Sequence, residues 1–511
     1  MTTSQEAQPR TGVRPIEPSP HAAWLRAHRA VAVEHDDVPL PIEGTVPDAI
    51  RGVLFRNGPG KLEAFGTAYA HPFDGDGMIT RFAFGGSPGA PVVRYRNRFV
   101  RTREYLAEAR EGRALYRGFG TNLPGGFARN ALRMRFKNVA NTSLVWHAGR
   151  LLALWEAGLP HRIDPVTLET LARDDLDGVL RPASRALRLI APEIPFSAHP
   201  KLDPRDGSLV NFGVQVGAPP KIVTVTIDAD GRARLGRSIP LDAMAFVHDF
   251  VLTPRWMLFY VSPVAFDLGR TLLGISPPST AIRSRRGHAV VLMVPRDGGP
   301  VVRLEAQAGF VFHFAGAFER DDGTVVLDGF RMDRFPLLED MAQIERLGDD
   351  VFPPPRLVRW ILHPVRKWLT QEPIGTIAGE LPTTGVGPFV EHRYVYAIAR
   401  HGDARTPFFT GLQKIDVRAT GDRFRDFAPD FPSEPIFVPR PGATAEDDGW
   451  LLSLVYESRA GRSALLILRA DDLSTVARMP LPDHVPPGFH GIWVSAEGGP
   501  AWASASAAPG A

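Results

Sequence analysis

Apolar residues along the chain fall in short runs that stop at glycine or Asp-Gly, and few stretches keep a helical spacing. The segments "HAGRLLALWEAG", "DPRDGSLVNFGV", "KIVTVTIDADGRARL", "RDDGTVVLDGF", "HRYVYAIAR", "EDDGWLLSLVYES" and "RSALLILRADDLSTVARMPL" each join a β-type run to such a turn. Asp-Gly recurs at Asp206-Gly207, Asp230-Gly231, Asp297-Gly298, Asp322-Gly323 and Asp448-Gly449, where a tight hairpin needs positive φ. Strand-turn-strand units over most of the chain predict an all-β fold, a propeller of four-stranded blades. No strict repeat accompanies them, and a double-sheet sandwich is the alternative. Helical spacing is confined to residues 22–35, 181–196, 270–275 and 356–369, which mix apolar and basic residues. These predict lid elements over a site or a patch that dips into a membrane surface. The plainer reading is core segments with solvated arginines.

Composition supports the turn-rich reading. The 511 residues include 49 glycines and 48 prolines, spread throughout, as many tight turns require. Hydrophobic content of 44% and charged content of 23% are those of a soluble globular protein. The net charge is only +3, and no Lys/Arg cluster is interleaved with aromatics, which argues against a nucleic-acid partner. The chain has no cysteine, so disulfides, thiolate ligands and a cysteine nucleophile are excluded, in keeping with a reducing cytoplasm. Its start, "MTTSQEAQPRTGVRPIEPSP", lacks the apolar core of a signal peptide. Residues 1–30 read as a disordered polar tail and residues 31–511 as one domain. No run of 18 apolar residues occurs, so no transmembrane helix is expected. The expectation is a cytoplasmic monomer, peripheral to the inner membrane if the basic-apolar segments touch lipid.

Candidate chemistry begins with histidine. Of the 15 in the chain, His199 in "FSAHPKLD", His248 in "AFVHDFVLT", His313 in "GFVFHFAGAFE" and His490 in "PPGFHGIWVS" sit in or beside β-type runs. They are widely dispersed, yet a propeller can bring them together, because the innermost strand of each blade lines the central axis. Four neutral imidazoles there would make a nitrogen-only site suited to Fe(II), Zn(II) or Cu(II). A structural zinc site would instead show cysteines at short local spacing. His21, His28, His35, His161, His363 and His401 stand in polar or basic contexts and read as surface. Imidazole ligands need the second nitrogen held, usually by a carboxylate. Glu156 after "LLALW", Glu380 in "IAGELPTTG" and Glu434 in "PSEPIFVP" are carboxylates in strand-like settings that fit this need.

These motifs together resemble the carotenoid cleavage oxygenases, including bacterial members that cleave apocarotenoids or stilbenes. The matching stretches are "FRNGPG", "HPFDGDGMI", "ANTSLVWHAGRLLALWEAG", "SAHPKLD", "VHDF", "FVFHFAGAFE", "SEPIFVPRPGATAEDDGWLLSLVY" and "PPGFHGIWV", from about residue 50 to the C-terminus. The resemblance implies a seven-bladed β-propeller with a helical and loop cap over one axial non-haem Fe(II) per chain, and O2 as co-substrate. It implies His199, His248, His313 and His490 as iron ligands. Glu156, Glu380 and Glu434 would orient three of the imidazoles, leaving His199 without such a partner. Leu381 follows Glu380 where relatives carry an aromatic residue. Thr142 matches a small residue that crowds a coordination position, and Trp155 and Phe312 would line the substrate tunnel.

The implied reaction splits one alkene of an extended conjugated chain into two carbonyl products. Members that cleave hydroxystilbenes carry a lysine immediately before the first orienting glutamate, where this chain has Trp155. An indole has one neutral N–H and cannot stabilise a phenolate, but its face suits a polyene. Tyr105 could meet a phenol with a smaller effect. The expected substrate is therefore an apolar conjugated carotenoid or apocarotenoid. Cleavage of 4-hydroxystilbenes or phenylpropenoids, of the lignostilbene, resveratrol or isoeugenol type, is the alternative. A metal-dependent propeller hydrolase is more distant, since a hard cation would want carboxylate ligands. A non-catalytic scaffold would need no axial histidines.

Overall fold

The computed structural model describes residues 19–182, 184, 192–336, 353–400, 408–419, 421–497 and 499–505. Its strands form seven antiparallel blades around one axis, with two short hairpins outside them. The ring is closed by the two ends of the chain. Strand Gly491–Ser495 is the innermost strand of the first blade, paired with Gly52–Pro59 in the register Gly52↔Ser495 to Arg56↔Gly491. In the other direction, Glu43–Gly44 adds to the edge strand Thr475–Pro480 of the last blade. Early and late segments thus each complete the other's sheet.

The middle strands of the blades are buried on both faces, which explains why they read as continuous apolar runs, while outer strands such as Thr170–Arg173 and Trp368–Pro373 are largely exposed. Along Gly52–Pro59, Leu54 packs with Trp450 and Leu452 of the last blade. Its neighbours Val53 and Phe55 pack with Leu144 and Leu151 of the second. One strand further on, Leu151 and Ala153 face the first blade while Leu152 and Leu154 face Val223 and Val225 of the third. The period of two is present, but every position points into a core.

Three expectations are corrected here. Residues 20–30 do not belong to a tail: Pro20–Ala27 is a helix capped by Ser19, and it buries Ala23, Trp24 and Ala27 against Phe408, Phe431 and Tyr456. Beyond it the expected helix of residues 22–35 gives way to extended chain. The stretch 356–369 is a hairpin, Arg356–His363 paired with Trp368–Pro373, turning at Lys367 with φ 55°. Val358, Trp360 and Leu362 face one core at a period of two while Leu357 faces another, a pattern that helical spacing over so short a run imitates. Gly449 opens strand Gly449–Glu457 instead of turning a hairpin, whereas the glycines of the other four Asp-Gly pairs have positive φ. Helix Leu268–Leu272 overlaps the expected segment 270–275, and residues 183 and 185–191 of the segment 181–196 lie outside the described residues.

Ring closure explains two glycine-rich motifs. The backbone of Asn57 in "FRNGPG" donates to His490 O at 2.8 Å and accepts from Phe489 N at 2.9 Å. A Cβ on Gly58 would stand 2.5 Å from Gly488 Cα, so the motifs touch backbone to backbone. Gly58→Ala is expected to destabilise the protein by about 1–3 kcal/mol, the cost of overpacking a rigid contact. Urea unfolding checks this; unchanged stability would show that the closure has slack.

Candidate metal centre and its cavity

All four singled-out histidines reach the axis, and each does so where regular strand structure fails. His199 and His248 precede the short inner strands Lys201–Leu202 and Val251–Leu252, and His490 directly precedes Gly491–Ser495. His313 lies inside strand Phe310–Glu319, where the register jumps between Val311 and Phe314. That bulge lets adjacent residues Phe312 and His313 both face the site. Glu380 sits at a second irregularity, where the register shifts between Glu380 and Thr383 and Leu381 takes φ 54°.

The Nε2 atoms meet closely: His199 to His248 at 3.0 Å, His248 to His313 at 3.2 Å, and His313 to His490 at 3.1 Å. Across the group, one nitrogen from each ring lies within 4.8 Å of the others. His313 Nδ1 lies 2.5 Å from Glu380 Oε2, and His490 Nδ1 lies 2.8 Å from Glu434 Oε1. An ionised carboxylate accepts a hydrogen bond from Nδ1–H and so favours the tautomer with its lone pair on Nε2. The four rings turn a nitrogen towards one shared point, an arrangement that could hold a metal ion. Adjacent ligands at about 2.1 Å from a metal stand about 3 Å apart, the spacing found here.

The three glutamates differ in surroundings. Burial pushes Glu434 up, but His490, Arg56 and the Gly491 N–H outweigh it and hold the carboxyl below its usual range. The guanidinium of buried Arg56 also donates to Glu434 O at 2.8 Å and Phe489 O at 3.3 Å, bracketing His490. Burial pushes Glu380 up to about 8, against the opposing Leu381 N–H. Glu156 is pushed well above the carboxylate range by burial and then by Asp249; 21% of its side chain is open, and that surface lines the cavity. Its Oε1 lies 3.3 Å from His248 Nδ1, short of hydrogen-bond geometry, and neither buried atom has another hydrogen-bond partner among the described residues. It is 3.8 Å from His199 Nε2. Burial drives His199 and His248 far below the usual imidazole range and His313 down to about 3, keeping these rings neutral as ligation requires.

Beside the histidines opens a cavity of about 1180 Å³. Trp155, Phe312 and Thr142 line it, together with aromatics the sequence had not singled out, such as Phe73, Phe246 and Phe489. Phe312 stands edge-on to His248 at 5.1 Å between ring centres. The Thr142 hydroxyl donates to Asn141 at 3.2 Å, and its carbonyl accepts from His490 N at 3.2 Å. Tyr105 does not line the cavity. Its ring stacks on Phe99 at 5.8 Å under the Lys61 ammonium, because its helix, Arg103–Glu111, turns Glu104 inward instead. The cap includes Arg103–Glu111, Gly126–Asn130 and Leu268–Leu272; buried Arg117 ties the last two, donating to Asn130 O at 3.3 Å and Thr271 O at 2.7 Å. Trp24 of the N-terminal helix also reaches the cavity. Two histidines read as surface are buried, His161 at 2% and His363 at 9% exposure; His401 lies outside the described residues. Asp249 and Lys201 were missed as well, although both stand inside the motifs around His248 and His199.

The family model described as retinal pigment epithelial membrane protein matches residues 29–495. The chain is 36% identical to the apocarotenoid-15,15'-oxygenase of Synechocystis over 484 residues, covering 92% of this chain and 96% of the relative. It is 28% identical to the isoeugenol monooxygenase of Pseudomonas nitroreducens, covering 90% and 95%. Among solved structures, cobalt-substituted Synechocystis apocarotenoid oxygenase superposes with a TM-score of 0.85 at 36% identity, covering 93% of this chain and 99% of that one.

The Glu380 shift sets the pH response of metal loading. Below about pH 8 its carboxyl holds a proton, donates to His313 Nδ1 and so places the ring proton on Nε2, where a metal must bind. Loading therefore releases that proton, and affinity should rise with pH by up to about tenfold per unit below pH 8, then level off for this group. Chelator-competition titrations with Co(II) between about pH 6 and pH 9 measure it. A constant affinity across that range would contradict the assignment.

Proposed function

The chain belongs to the carotenoid oxygenase family, and from that premise we propose that it is an Fe(II)-dependent oxygenase of carotenoids or, more narrowly, apocarotenoids. It splits one alkene with O2 into two carbonyl products. His199, His248, His313 and His490 hold one iron per chain; when bound, iron(II) supplies the redox centre for O2 chemistry. The chain's own contribution is positional. With metal bound, Glu380 and Glu434 accept hydrogen bonds from Nδ1 of His313 and His490 and fix the tautomer that turns Nε2 to the axis, while Glu156 faces His248. Aromatic side chains keep water from the reacting double bond and hold it beside the histidines.

The observation that carries the substrate class is Trp155 in the cavity wall next to Glu156. An indole face gives a polyene a flat apolar contact and offers a phenolate no charge. Tyr105, turned away to Phe99, supplies no phenol partner. Iron-loaded protein should cleave apocarotenals and leave resveratrol and isoeugenol essentially untouched. Alanine at any of the four histidines should abolish turnover and iron retention, while Gln at Glu156, Glu380 or Glu434 should cost about 10–100-fold. Product analysis with both substrate classes side by side decides; rapid cleavage of the phenolic compounds alone would overturn the Trp155 argument.

Greasy substrates favour uptake from a lipid surface. Leu132, exposed at 76%, lies at the cavity and its N–H bonds Leu272 O at 2.7 Å. Leu272, Leu273 and Ile275 are exposed beside it. This patch rests weakly and reversibly on a membrane, mainly by hydrophobic contact, since a net charge of +3 adds little. Flotation with phosphatidylcholine–phosphatidylglycerol liposomes should carry part of the protein upward, and Leu132→Ser with Ile275→Ser should abolish this; wild-type protein left wholly in the soluble fraction contradicts it.

A further inference from the structure

We propose that the buried carboxylate of Asp249 is a positioning residue that fixes three of the four histidines as one unit; the inference rests on the metal reading above. Asp249 is 4% exposed and follows His248 directly. Its Oδ1 accepts from Phe250 N at 2.8 Å, which pins the backbone on the far side of His248. The same oxygen lies 2.8 Å from Lys201 Nζ, two residues beyond His199. Its Oδ2 accepts from Phe314 N at 3.1 Å, the residue after His313. One side chain thus joins the ligand-bearing segments of the third, fourth and fifth blades, at the points where their strands are irregular.

These segments need such a tie. Phe312 and His313 fall in a bulge where ladder pairing is interrupted, and His199 and His248 lie before strands of two residues each. Regular sheet hydrogen bonding cannot set where these segments stand relative to one another; Glu380 orients the His313 ring alone, Glu156 at 3.3 Å holds His248 only loosely, and neither joins one segment's backbone to another's. His490 is served separately, by Glu434, Arg56 and the backbone of Asn57. The two arrangements divide the four ligands three to one.

The geometry requires an acceptor at both oxygens. Asp249→Asn keeps the shape but turns an NH2 towards a donor, either Phe314 N–H or the Phe250 N–H with the Lys201 ammonium. One ligand segment is then released. Lys201→Met breaks only the tie to the third blade and leaves both backbone bonds to Asp249.

The test uses the full-length protein and Co(II) as probe, with affinity from chelator competition, ligand-field bands from absorption, and melting temperatures with and without metal. Asp249→Asn should weaken Co(II) binding about 10–100-fold, shift the bands, and reduce the metal-induced rise in melting temperature. Lys201→Met should do the same to a smaller extent, and it serves if Asp249→Asn does not fold. A folded Asp249→Asn with wild-type affinity and band positions would overturn the inference, as would an unfolded Asp249→Asn beside a Lys201→Met that binds like wild type. Equal lowering of apo and loaded melting temperatures without a change in affinity would reduce Asp249 to a structural role, also against the inference. Failure of wild-type protein to bind Co(II) would instead overturn the metal reading itself.

Discussion

The structure depends on one geometric constraint: four imidazoles must bring Nε2 into a shared space only about 3 Å across. At 3.0–3.2 Å the Nε2 atoms stand at the spacing of adjacent ligands around one cation. A nitrogen-only ligand set leaves a divalent ion its full charge, and the protein places the balancing carboxylates one atom layer out, against Nδ1. Bulges, short inner strands and the closing contact of the ring all serve this convergence. A propeller suits it because each blade can deliver one side chain to the axis while its remaining strands pack against neighbours.

The supporting glutamates are not equivalent. Glu434 has Arg56 and two N–H donors to stabilise its charge, whereas Glu380 and Glu156 are buried with fewer compensating partners. Glu434 is therefore held in its charged form by its surroundings, whereas burial works against charge on the other two. The aromatic cavity adds to this by keeping water away, which strengthens each of these electrostatic contacts.

Much of this was legible in the sequence, for reasons that can be named. Short apolar runs ending at Asp-Gly reveal strands because positive φ is needed where they stop; the ligand histidines stand out because each interrupts such a run. What was hidden depends on long-range contact. Trp24 reads as part of a tail until Phe408 covers it, and residues 356–369 read as helix until strand pairing across the Lys367 turn sets the period. Tyr105 was placed by analogy with chemistry it cannot reach, since its helix points Glu104 inward. Asp249 stood in plain view after His248, but its role depends on Phe314 and Lys201, which only the fold brings to it.

X-ray absorption at the iron edge of Fe(II)-loaded protein tests the central claim most directly. The account predicts one iron per chain with four nitrogen ligands showing the multiple-scattering pattern of imidazole, and with no protein carboxylate bound. Iron bound through the oxygens of Glu156, Glu380 or Glu434, or fewer than four imidazoles, would contradict it.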